Sequence, residues 1–207
     1  MRVFVGIPLP NDVRASLHML QRALIESGAD VNWVAPEHLH VTLKFFGELS
    51  EAHVDAAKMW LARVAGRQLP FTMSLAEIGA FPSLDAPRVV WVGVAEGAEA
   101  AARLAGLIEQ EGVALGLQKE ERPFAAHVTL GRLRSPRHRQ ALVQRLRASS
   151  WQPPHPWQAA SLTLYHSVLT PAGPHYTALA DLPLTGSRAA SAASGVASPG
   201  RSAPPGP

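Results

Sequence analysis

The chain has 207 residues, no cysteine, and 19 basic against 16 acidic side chains. That length suits one domain or two small lobes sharing a core, and the lack of cysteine excludes disulfides, thiolate metal sites and cysteine nucleophiles. A pI near 9.8 says little about partners, because residues 185–207 hold Arg188 and Arg201 and no acid, which leaves 17 basic against 16 acidic residues, a net of +1, in the rest.

The run Val3-Phe4-Val5-Gly6-Ile7 predicts a strand over about 2–8. It is too short to span a membrane and lacks the basic start of a secretory signal, so a cytoplasmic, non-membrane protein is expected. Val13, Leu17, Leu20 and Leu24 recur at helical spacing and predict an amphipathic helix. A strand bearing His40-Val41-Thr42-Leu43 follows, then a helix over about 51–66 with Ser50 as N-cap and a strand near 70–78. The series then repeats: a strand over about 88–95, a helix whose core face holds Leu104, Leu107 and Ile108, and a strand bearing His127-Val128-Thr129-Leu130. A helix over about 136–148 is expected next, with Ser135 as cap and Pro136 at its first position, then strands near 159–168 and 175–182. Residues 185–207 are low-complexity Ala, Ser, Gly and Pro and are expected to be disordered, beyond a two-lobed domain over 1–184.

One interval relates the two series. His127 lies 87 positions after His40, and the same offset aligns Val3 to Ile7 with Val90 to Val94, Pro36 with Pro123, Leu17 and Leu20 with Leu104 and Leu107, and Ser74-Leu75 with Ser161-Leu162. Matches in order and without a gap mark a duplication. The expected architecture is α+β, with two duplicated β-α-β lobes related by a pseudo-two-fold axis around a central cleft; pattern alone leaves parallel and antiparallel sheets both open. Side chains alternate along a strand, so His40, Thr42, His127 and Thr129 should point together into that cleft while Val41, Leu43, Val128 and Leu130 turn to the core.

Two imidazoles facing one phosphorus centre suit in-line hydrolysis of a cyclic phosphodiester. One removes a proton from water while the other protonates the departing oxygen. The hydroxyls of Thr42 and Thr129 can donate to non-bridging oxygens. Lys44 lies on the motif face by strand parity and could meet phosphate; Phe46 is a candidate base-stacking surface. Arg132 has the opposite parity and reaches the groove only if the strand twists or ends. Six arginines over 132–147 (132, 134, 137, 139, 145 and 147) without an acid suit either a solvated helix face or a basic patch. His38 and His40 form a His-x-His pair, but no third ligand stands at a telling spacing, so no metal or cofactor is expected.

These residues are recognisable as a set. The stretch from Trp33 through His40-Val41-Thr42-Leu43-Lys44-Phe45-Phe46-Gly47-Glu48, with Gly79-Ala80-Phe81-Pro82, Arg88-Val89-Val90-Trp91, His127-Val128-Thr129-Leu130-Gly131-Arg132 and Leu164-Tyr165-His166-Ser167, resembles the 2H phosphoesterase superfamily. Within it, the resemblance is to the RNA 2',3'-cyclic phosphodiesterases also described as 2'-5' RNA ligases. It implies a metal-free enzyme acting on RNA ends or nucleotides that carry a 2',3'-cyclic phosphate. It further implies His40 as proton donor to the 3'-oxygen, His127 as proton acceptor from water, a 2'-phosphomonoester product, and Arg132 holding the nucleotide. A monomer is expected. The alternatives are 2'-5' ligation by the reverse reaction, and a non-catalytic RNA- or nucleotide-binding module.

Overall fold

The computed structural model describes residues 1–170 and 173–186. In chain order the elements are β1 (Arg2–Pro8), α1 (Asn11–Ile25), β2 (Val31–Trp33), a 3-10 turn (Pro36–His38), β3 (His40–Glu48), α2 (Glu51–Ala65), β4 (Phe71–Met73) and β5 (Leu75–Phe81). There follow β6 (Val89–Val94), α3 (Ala98–Ala114), β7 (His127–Leu133), α4 (Arg139–Arg147), β8 (Trp157–Ala159), β9 (Ser161–Thr170) and β10 (Gly173–Pro183). The expected disordered tail lies outside the described residues except for Thr185 and Gly186, and the Gly186 N–H donates to the Gln68 carbonyl at 2.8 Å.

Among the described residues the strand pairings are antiparallel, which decides the direction that pattern left open. The main sheet runs β10-β9-β1-β3-β7-β6-β5, with β2 also on β7, and β4 and β8 form a separate ribbon. Its two central strands are the two HVTL strands. They meet where Val41 pairs with Val128, residues in the same position of the two copies. When equivalent residues pair with each other, a local two-fold passes between them.

The lobes are not the two sequence halves. β5, from the first copy, pairs with β6 of the second, and β9, from the second, pairs with β1 of the first. Each copy thus gives its closing strand to the opposite lobe, where the sequence reading closed each half on itself. An antiparallel edge takes any strand of the right pattern, and the crossing connections keep both edges of the central pair covered.

Helix α1 buries Val13, Leu17, Leu20 and Leu24 as its spacing requires, and Ser50 caps α2 by accepting from the His53 N–H. Two expectations need correction. In α3 the buried face is Ala101, Leu104, Ala105, Ile108 and Gly112, while Leu107 is 38% exposed; those five fall on one stripe at helical spacing and residue 107 lies off it. Helix α4 begins three residues late. The Arg139 N–H closes a turn on the Pro136 carbonyl, so the Pro136 region forms a turn of its own, and the helix starts after His138, whose φ of 52° is left-handed. Fully buried Val3, Val5, Ile7, Val41, Val128 and Leu130 line the core face of the central strands, each aliphatic contributing about 1.5–3 kcal/mol by leaving water.

Candidate active site

Both HVTL copies open onto one cavity of about 730 Å³, walled among others by His40, Thr42, Phe45, His127, Thr129 and Arg132. The structure therefore brings together the four motif residues and Arg132.

The imidazoles are held alike. His40 Nδ1 lies 2.7 Å from the His38 carbonyl oxygen, and His127 Nδ1 lies 2.7 Å from that of Ala125, again a pair of carbonyls 87 residues apart. A carbonyl only accepts, so each Nδ1 carries a proton and each Nε2 keeps its lone pair for other partners. His40 Nε2 is 2.9 Å from Thr42 Oγ1, whose hydroxyl donates to it while the ring is neutral. Gly6 makes room for this ring: a Cβ there would stand 2.8 Å from the Val41 oxygen and 3.0 Å from His40 Cδ2.

The surroundings differ. His40 stacks on Phe4, with centroids 4.8 Å apart and planes 28° apart, and is flanked by Tyr176 at 5.4 Å and Tyr165 at 5.6 Å. His127 meets Phe81 edge-on at 5.3 Å and Trp91 at 6.1 Å. Burial pushes His40 down to about 4, reinforced by the neighbouring His38 and His127 and opposed by the His38 carbonyl. Burial also lowers His127, with the Arg132 charge acting the same way and the Ala125 carbonyl against it. Both shifts favour the neutral imidazole.

Register shifts decide the rest of the wall. Gly6 pairs with Thr42 but Val5 pairs with Lys44, so Leu43 is an extra residue on β3. Trp91 pairs with Thr129 but Val90 pairs with Gly131, so Leu130 is an extra residue on β7. These two bulges are 87 residues apart. An extra residue reverses the alternation beyond it, which returns Phe45 and Arg132 to the groove. The parity objection to Arg132 disappears, because it assumed a regular strand.

The Leu43 bulge redirects Lys44, and a second register shift, where Val3 pairs with Gly47 but Phe4 with Phe45, falls on Phe46. Lys44 borders the cavity, but its side chain is only 2% exposed and its Nζ is committed to Glu109 Oε2 at 2.6 Å and the Gln118 carbonyl at 3.0 Å. Phe46 is buried against Trp60 at 5.8 Å, edge to face, and Phe45, 50% exposed, stands in the groove instead. Phe45, Phe4 and Tyr176 escape the sequence reading; the 87-residue offset that carries Phe45 onto Arg132 was the signal for the first. His38 turns away toward His175 and Tyr176 in a separate hollow. Of the arginine run, Arg134, Arg145 and Arg147 pair with Asp30, Glu26 and Asp85, so much of it is a neutralised surface.

Two imidazoles with Nε2 available, each followed by a threonine hydroxyl and related by a two-fold across one groove, define a two-histidine phosphoesterase. The family model for LigT-like phosphoesterases matches the chain twice, over residues 7–91 and 92–176, once per copy, and the chain belongs to that family. It is similar to the RNA 2',3'-cyclic phosphodiesterase of Methanothermobacter thermautotrophicus, 33% identical over 177 residues that cover 86% of this chain and 95% of the relative. Among solved structures it is similar to a Thermus thermophilus protein, with a TM-score of 0.71 and 32% identity over 90% of this chain and 99% of that one. It is also similar to E. coli LigT complexed with 3'-AMP, with a TM-score of 0.68 and 28% identity over 89% and 98% of the two chains. No helix among the described residues is long and apolar enough to cross a membrane.

Proposed function

We propose that this chain hydrolyses the 2',3'-cyclic phosphodiester at RNA ends to a 2'-phosphomonoester. Water attacks phosphorus in line with the 3'-oxygen. His127 Nε2 takes the water proton as the new P–O bond forms, and His40 Nε2 gives a proton to the 3'-oxygen as the P–O3' bond breaks. Thr42 and Thr129 donate to the non-bridging oxygens, Arg132 faces the phosphate's charge, and Phe45 offers a face for the base. The observation that most supports this reading is the matched pair of Nδ1 contacts to His38 and Ala125, which presets both tautomers. Burial keeps the free rings neutral; a bound phosphate anion works against that and lets one ring hold the proton it must donate. The RNA substrate is the one in the names of the relatives. Both walls of the groove come from one chain, which supports a monomer as the working form.

End-group analysis tests this directly. Purified protein incubated with a cyclic-phosphate oligonucleotide, with and without a 5'-hydroxyl partner, should accumulate 2'-phosphate ends in both mixtures. A joined 2'-5' product would shift the reading to ligation, and tight binding without any product would make the chain a binding module.

A further inference from the structure

The segment 115–126, between α3 and β7, forms a pinned wall of the groove. Lys44 Nζ donates to the Gln118 carbonyl at 3.0 Å, and Glu109, paired with that same lysine, accepts from the Glu120 N–H at 3.0 Å. At the other end His127 Nδ1 holds Ala125, and the Val94 N–H donates to Ala126 at 3.1 Å. Between these anchors the Glu120 carboxylate accepts from the Arg122 N–H at 3.1 Å. Arg122 is exposed and borders the same cavity as both histidines. Its guanidinium makes no ion pair among the described residues, although Glu109 and Glu120 border the same cavity. Glu109 is taken by Lys44, and Glu120 is turned to the backbone.

The groove thus presents two guanidiniums, Arg132 on β7 beside His127 and Thr129, and Arg122 on this pinned segment. A single cyclic phosphate carries one negative charge. We propose that Arg122 holds the internal phosphate adjacent to the cyclic end, so that RNA ends are preferred over cyclic mononucleotides. This rests on the cyclic-phosphate reading above. Because the segment is anchored in the free protein, little ordering is lost on binding, and a guanidinium suits a phosphodiester in shape and charge.

The test compares a dinucleotide ending in 2',3'-cyclic phosphate with the cyclic mononucleotide, using wild type, Arg122→Gln and Arg122→Lys. Arg122→Gln should lower kcat/KM on the dinucleotide by about tenfold, mainly through KM. It should leave the mononucleotide unchanged, and should make the salt dependence shallower by roughly 0.7 in log–log slope. Arg122→Lys should retain most of the activity. Equal loss on both substrates, or no loss on either, overturns the proposal. If wild type turns over neither substrate, the proposed function falls, and Arg122 is then judged by calorimetry with a 2'-phosphorylated dinucleotide and a nucleoside 2'-phosphate. A tenfold weakening confined to the dinucleotide supports the assignment, and any other pattern overturns it.

Discussion

Val41 pairs with Val128 at the centre of the sheet, and the interval between them is the interval between His40 and His127. His40 and Thr42 flank Val41, His127 and Thr129 flank Val128, and all four border the same cavity. The His40 imidazole meets the hydroxyl of its own copy, Thr42 Oγ1 at 2.9 Å from Nε2, and leaves the groove between the copies open. The valine pair at the two-fold brings both copies of the tetrapeptide to the wall of one cavity.

Loss of either imidazole should be severe and should leave binding largely intact. His40→Ala and His127→Ala are each expected to lower kcat by about 10²–10⁴-fold with a small change in KM. Steady-state kinetics on a cyclic-phosphate dinucleotide check this, and near-normal turnover in either variant removes that ring from the mechanism.

The buried His40 ties stability to pH. Its folded pKa of about 4 lies below the ordinary value of 6.5, so the unfolded chain binds a proton between those values while the folded chain does not. Above pH 6.5 both states are neutral there and nothing is lost. As pH falls from 6.5 to about 4, stability should fall by up to about 3 kcal/mol from this group, and no further below that. His40→Gln should flatten the drop in urea midpoint between pH 7.5 and 5.0. A variant as acid-sensitive as wild type would place the effect elsewhere.

Adjacent phenylalanines face opposite sides of β3, and the bulge at Leu43 decides that it is Phe45 that takes the groove. Phe45→Ala should leave thermal stability nearly unchanged and raise KM for base-bearing substrates, since that ring is half exposed in the groove. Phe46→Ala should cost about 3–5 kcal/mol, as truncating a buried aromatic does, with KM intact in the folded fraction. Melting curves and Michaelis curves for the two variants decide the matter; the reverse pattern would mean a regular strand.

Gly6 is required by contact. A methyl group there meets the Val41 carbonyl at 2.8 Å and His40 Cδ2 at 3.0 Å, one of which is backbone that moves little. Gly6→Ala should cost about 1–3 kcal/mol and lower kcat by displacing the His40 ring. Wild-type melting and turnover in this variant would show that the strand can give way.

Much of this protein was legible in its residues. The 87-residue offset, the two HVTL strands, the cap at Ser50 and the α1 face are local regularities, written in spacing that a single strand or helix imposes on its own sequence. His40, Thr42, His127 and Thr129 could be aimed into a cleft because alternation holds over the first three residues of each motif. Beyond Leu43 and Leu130 it fails. A bulge is settled by how a strand pairs with its neighbour, so whether Phe45 or Phe46 faces the groove, and whether Arg132 does, depended on β1 and β6. The exchange of β5 and β9 between lobes, and the engagement of Lys44 by Glu109 from 65 residues away, are likewise choices among partners distant in sequence. Nothing in a side chain's own neighbourhood encodes them, because they are fixed by which surfaces remain to be covered once the central pair has formed.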